Sequence, residues 1–300
     1  MAKPVAYRTY LILVLAGVGL GLGVGILLYK HRSTPTSLAA VSTPEFIVWL
    51  GLIGVLMMLF AVLPLPLAKD LQDLRRYFAG NEIDIVVSSL MLTLLISVPL
   101  LIARFLWKPI DQYPLPHTLE KIAVIMTIGY ITTILPAAVG IWLVRAGLRI
   151  EFGKIQPDEK HIQQYLRFRD RLQWFISILG LVIGLATLST GAARKGLIAW
   201  GVSAESYPLT IVLVYGAYYT VLLALVYIPT YSSLVEIGRD LLEVFFPISS
   251  PKSDDWTDMY AKRMDLEEVL QLRTSVQHNL QSRVAVLAPL LSGIFATLLQ

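Results

Sequence analysis

The chain has 300 residues, 56% of them hydrophobic and only 15% charged, with a mean hydropathy of +0.66. Soluble domains carry about 25% charged residues, so this composition excludes an ordinary water-soluble globule and indicates a polytopic membrane protein. A formal net charge of +4 is too small to make nucleic acid the main partner, and the absence of cysteine removes disulfides, thiolate metal sites and cysteine nucleophiles.

A helix crosses the hydrocarbon core with roughly 17–25 residues free of charge. Such runs occur at Tyr10–Tyr29, Phe46–Leu67, Ile85–Ala103, Ile122–Val144, Leu172–Thr190 and Tyr207–Ser232, and a weaker one at Val284–Leu299. The expected fold is all-α: a polytopic membrane helix bundle of six transmembrane helices over residues 1–232, a helical cytosolic tail over 233–283, and a short apolar C-terminal helix over 284–300 that re-enters the membrane or makes a seventh span.

The first run follows Lys3 and Arg8, as a signal peptide would, but it is longer than the typical apolar core of about 7–15 residues. Lys30, His31 and Arg32 follow at once. It reads as an uncleaved helix. Its segment AGVGLGLGVGILL places Gly17, Gly19, Gly21, Gly23 and Gly25 at alternate positions. Alternation suggests a strand, yet an open strand in lipid leaves backbone groups unpaired at several kcal/mol each. As a helix, the same residues make two stripes on nearly opposite faces: Gly17, Gly21 and Gly25 on one, Gly19 and Gly23 on the other. Small residues at this spacing let helix backbones approach closely. Both faces pack within the chain, or one of them meets another subunit.

The second run ends in LPLPLAKDLQDLRRYFAG, where Pro64 and Pro66 are expected to interrupt the helix. Leu67, Leu71, Leu74 and Phe78 then recur at helical spacing, as in an amphipathic interface helix or a solvated helical connector. In the fourth run Thr127, Tyr130 and Thr133 form a polar stripe. Before the fifth, Pro157, Asp158 and Glu159 mark a helix start, and Arg167, Arg169 and Arg171 arrive at the membrane edge. These arginines set topology and attract anionic headgroups, or they bind an anionic cytosolic ligand.

The sixth run carries Tyr215, Tyr218 and Tyr219 on one face with Thr220 beside them. Together with Thr127, Tyr130 and Thr133, these hydroxyls either bond between helices or line a water-filled path. A linker, PISSPKSDD, then precedes a long helix expected from about Asp254. Leu266, Val269, Val276, Leu280, Leu287, Leu290 and Ile294 take a and d positions in it, interrupted by Arg273 and Arg283. That pattern suits a short coiled coil or a single amphipathic helix packed on the body. The last apolar stretch rises only about 24 Å as a helix, short of the ~30 Å core, and favours a re-entrant or docked element.

Lys and Arg divide 18 to 7 between the two sets of loops, with the N-terminus, Ala68–Asp84, Arg145–Arg171 and everything after Tyr231 on the richer side. The positive-inside rule makes that side cytoplasmic. No ionisable residue lies in the middle of any of the six runs, which disfavours an ion-coupled carrier. HExxH, P-loop, GxSxG and EF-hand patterns are absent, and His31, His117, His161 and His278 sit in separate loops. The expectation is a non-enzymatic protein of the cell membrane without cofactor or metal. An oligomeric ion channel or pore comes first, possible as a bacterial inner-membrane effector opened by a cytosolic signal, ligand or protein partner. A scaffold subunit of a larger complex is the alternative, and a lipid-acting enzyme follows.

Overall fold

A computed structural model describes residues 3–28, 41–80, 82–91, 94–95, 117–153, 159–247, 256–272 and 280–298, and among them every regular element is helical. In chain order these are α1 (Lys3–Leu28), α2 (Pro44–Val62), α3 (Pro64–Leu74), α4 (82–91), α5 (Thr118–Gly129), α6 (Leu135–Phe152), α7 (Glu159–Ala199), α8 (Thr210–Phe245), α9 (Trp256–Val269) and α10 (Leu280–Leu298). The chain is a multi-spanning membrane helix bundle. Among the described residues five stretches, rather than six, are long and apolar enough to cross: Thr9–Leu28, Pro44–Tyr77, Glu120–Phe152, Lys160–Ala199 and Thr210–Phe245. The expected run Ile85–Ala103 lies partly outside the described residues, of which 85–91 and 94–95 are helical.

Local chemistry sets several helix ends. Thr43 caps α2 by accepting a bond from the Phe46 amide at 3.4 Å, with Pro44 and Glu45 in the first turn. The expected interruption at Pro64 and Pro66 is only a one-residue turn at Leu63, which donates to Leu59 at 2.9 Å and accepts from Leu67 at 3.2 Å. Both prolines fall in the first turn of α3, where their missing amides have no helical partner to lose. Between α5 and α6 the backbone widens into a π-helical turn over Tyr130–Ile134. Pro136 stands two residues beyond it, and a proline ring crowds the carbonyl four residues earlier, here inside the π turn.

Glycines then decide how closely the helices meet. A Cβ on Gly129 would lie 2.1 Å from the Phe60 ring, one on Gly140 2.5 Å from Phe175, and one on Gly147 2.6 Å from Phe168. The α5–α6 rod therefore takes aromatic knobs from α2 and α7 into glycine holes, next to fully buried Ala137, Ala138, Ile141 and Val144. α7 is the central helix, packed on α2, α6, α8 and α10.

Contacts at the two ends of the bundle fix the relative directions of the helices. At the stalk end Tyr77 donates to Glu151 at 2.9 Å, Arg171 pairs with Asp73 at 2.9 Å, and the Tyr165 hydroxyl reaches the Leu270 carbonyl at 3.4 Å. At the opposite, distal end Phe46 meets Trp200 with ring centroids 5.7 Å apart, and Lys121 reaches Leu27 at 2.9 Å. α3 thus finishes at the stalk end and α5 begins at the distal end. At 41 and 36 residues, α7 and α8 run about 60 and 54 Å. Both exceed the ~30 Å hydrocarbon core and project together at the stalk end, where Gly238 of α8 sits under Tyr165 and Leu272.

The tail departs from the expected single long helix. α9 stops at Val269, Gln271 takes the left-handed conformation (φ 56°), and the Leu272 and Gln271 amides bond back to Glu267 and Glu268 at 3.0 and 2.9 Å. This is a Schellman stop. It separates Leu266 and Val269 from the later heptad positions, while Asp254, Arg273 and Val276 lie outside the described residues. α10 then lies in a groove of α7 and α8. Ala285 presses on Gly180 and Ala296 on Gly191, so α10 runs parallel to α7, and Pro289 abuts Gly216 of α8. It lies within the bundle, shorter than the five crossing stretches.

Candidate functional site

The two glycine faces of α1 have different fates. A Cβ on Gly19 would stand 2.5 Å from the Met57 carbonyl and 2.8 Å from Ala61, and one on Gly23 2.9 Å from Met57. This face is locked backbone-to-backbone against an antiparallel α2. A Cβ on Gly17, Gly21 or Gly25 would meet nothing within 4 Å among the described residues. Tyr10, Leu13 and Val14, on the same side of the helix, are 61–69% exposed.

Towards the distal end, this open face floors a groove of about 490 Å³ whose wall is the start of α5. Three polar groups border it. His117 and Glu120 pair at 2.8 Å in solvent, and Lys121 is 7% exposed. The Lys121 ammonium donates to the Leu27 carbonyl at 2.9 Å. That carbonyl belongs to the last turn of α1, where carbonyls lack intrahelical partners and the helix dipole favours a cation. The sequence pattern gives Lys121 no role of this kind. The readable signal is a lone lysine directly before the apolar run at Ile122.

The hydroxyl residues do not gather on one channel. Thr127 is exposed and turned back on the Ala123 carbonyl at 2.8 Å, while Thr133 is fully buried, 3.4 Å from the Thr132 hydroxyl. Tyr130 is half-buried in the π turn. On α8, Tyr218 donates to the Leu95 carbonyl, and its ring meets that of Tyr219 edge-on at 5.4 Å. Tyr215 and Tyr219 lie 6.4 Å apart, centroid to centroid. Thr220 accepts the Leu290 amide at 3.2 Å. Pro289 precedes that amide in α10, so the α8 hydroxyl receives a backbone donor at the distorted turn. The α8 stripe therefore ties residue 95 and α10 to α8.

The three arginines at the start of the fifth run diverge. Arg167 is exposed; Arg169 bonds the Val269 carbonyl at 3.1 Å and pairs with Asp170; Arg171 pairs with Asp73. Two of them anchor α9 and α3 to α7. Arg263 of α9 in turn donates to the Leu242 and Phe246 carbonyls, which closes the C-terminal end of α8. Among the described residues no group of three His, Asp or Glu side chains is placed to hold a metal ion. Compared with known protein families, with curated proteins and with solved structures, the chain matches none.

Proposed function

We propose that the chain is a non-enzymatic subunit of a homo-oligomeric membrane channel, with the conducting path between protomers rather than through one. The observation that carries this reading is the glycine face of α1 that no described residue covers. Gly19 and Gly23 are consumed by α2, whereas Gly17, Gly21 and Gly25 offer bare backbone at the surface. Such a face accepts a second helix backbone at short range. The inner hydroxyls are engaged in packing, so a path at a subunit boundary fits better than one behind Tyr215, Tyr218 and Tyr219. The stalk of α7, α8 and α9 is the proposed place where a cytosolic signal or partner acts, with the N-terminus and the tail over 233–283 on the cytoplasmic side of a cell membrane.

A scaffold role is the second reading, favoured by the bonds of Tyr218 to Leu95 and of Thr220 to Leu290, which cross-link helices as a static body requires. One experiment separates the two. Purified protein is sized by light scattering and reconstituted for ion flux from liposomes, with and without cell lysate. The channel reading expects an oligomer whose flux and assembly are lost in Gly21→Leu and kept in Leu22→Ala. A monomer that never conducts supports the scaffold.

A further inference from the structure

Trp142, Arg145 and Arg149 follow one another on α6 at i, i+3 and i+7, which places them within about 60° on one helix face. Over these seven residues the helix rises about 10 Å. The last apolar residue of the run, Val144, falls inside that interval, so the stripe crosses from the hydrocarbon edge into the headgroup layer at the stalk end. The guanidinium of Arg145 lies over the Trp142 ring, 5.7 Å from its centroid. Trp142 Nε1 and Arg145 Nε are both buried, and neither finds an acceptor among the described residues. Arg149 is exposed, and among the described residues the acid placed to act on Arg145 through charge is Asp84 near the start of α4.

Among the described residues buried oxygens on Gln164, Ser177 and Thr230 also lack partners, but these are neutral amide and hydroxyl groups, and the arginine on the Gln164 face that lies nearest the membrane, Arg171, is already paired with Asp73. On α6 an indole donor, a guanidinium donor and a second guanidinium share one helix face along about 10 Å at the membrane edge. We infer that Trp142, Arg145 and Arg149 form a binding site for the phosphate headgroup of an anionic phospholipid. A guanidinium fork binds phosphate in two parallel hydrogen bonds, and the phosphate of a lipid sits at the depth where these donors end. An indole N–H at the membrane interface has the same reach. Of Arg167, Arg169 and Arg171, which sequence pattern offers for this task, Arg169 lies on the opposite face of α7 from the other two, and Arg169 and Arg171 are tied to protein acceptors.

The test uses the full chain. Native mass spectrometry of the purified protein, titrated with phosphatidylglycerol against phosphatidylcholine, should show preferential retention of the anionic lipid. Arg145→Gln with Arg149→Gln should reduce that preference by roughly 30-fold, the effect of two basic residues at an anionic surface, and Arg167→Gln should leave it intact. A photoreactive anionic lipid on the unmodified protein should label the peptide holding Trp142–Arg149, a result that does not depend on how the variants fold. Equal retention of the two lipids, or labelling confined to α7, overturns the site. Stabilisation of the protein by glycerol phosphate or inorganic phosphate as strong as by the lipid would assign the same donors to a soluble anion and overturn the lipid assignment.

Discussion

Glycine at Gly140 gives the Phe175 ring its place against the α6 backbone, with less than 2.8 Å to spare for any Cβ. The same holds for Gly147 under Phe168 and Gly129 under Phe60. Adding one methyl group to such a contact forces rings off their rotamers, at typically 1–3 kcal/mol. Gly51, also in a membrane helix, has open space around its Cα. Gly140→Ala should therefore lower the unfolding midpoint in detergent by several degrees, whereas Gly51→Ala should hold or raise it, since alanine is the better helix former. Equal shifts in the two variants would mean that ring-on-glycine packing contributes nothing to stability. These contacts were beyond a sequence reading, because the partner ring lies in a different helix: nothing at Gly140 itself points to Phe175. The α1 stripes were legible because five glycines in one helix define faces on their own, but which face α2 takes is settled only by Met57 and Ala61.

The helical elements are legible where their ends carry ordinary signals and hidden where they do not. Thr43-Pro44-Glu45 announces α2, and Gly201, at φ 89°, ends α7 with amide bonds from Val202 to Leu197 and from Gly201 to Ile198 at 3.0 and 2.9 Å. α9 ends in the same motif, with Gln271 in the left-handed position where glycine is usual. Helix-forming residues on both sides made the heptad pattern run straight through it. Leu272, held against Gly238 and the stalk core, outweighs the local preference. A left-handed conformation costs a non-glycine residue about 1–2 kcal/mol. Gln271→Gly should relieve part of this and stabilise the docked α9, seen as slower proteolysis between α9 and α10 and slower amide exchange at Leu272. If instead the variant loosens α9, Gln271 holds the stop through its side chain and the strain argument fails.

At the scale of the whole molecule, the membrane character was readable from length and composition alone. The re-docking of α10 was not, because a glycine groove on α7 and α8 is invisible until those helices are set side by side. What composition adds is a sidedness. The stalk end gathers Arg145, Arg149, Arg167, Arg169, Arg171 and Arg263, and the distal end holds Lys121, Arg194 and Lys195. The bias of Lys and Arg in short loops sets orientation during insertion, so the stalk should face the cytoplasm. Because the native chain has no cysteine, single cysteines report this directly. Ser203 is exposed in the distal loop after α7, and Gln163 is exposed on the stalk portion of the same helix. An impermeant maleimide applied to intact cells should label Ser203→Cys at once and Gln163→Cys only after the membrane is opened. From Gln163 to the end of α7 at Ala199 the helix runs about 54 Å, which exceeds the full bilayer of ~40–45 Å, and Ser203 lies in the turn beyond it, so one chain cannot present both on the same side. Labelling of Gln163→Cys alone in intact cells would invert the topology and place the stalk, with its lipid-facing arginines, outside.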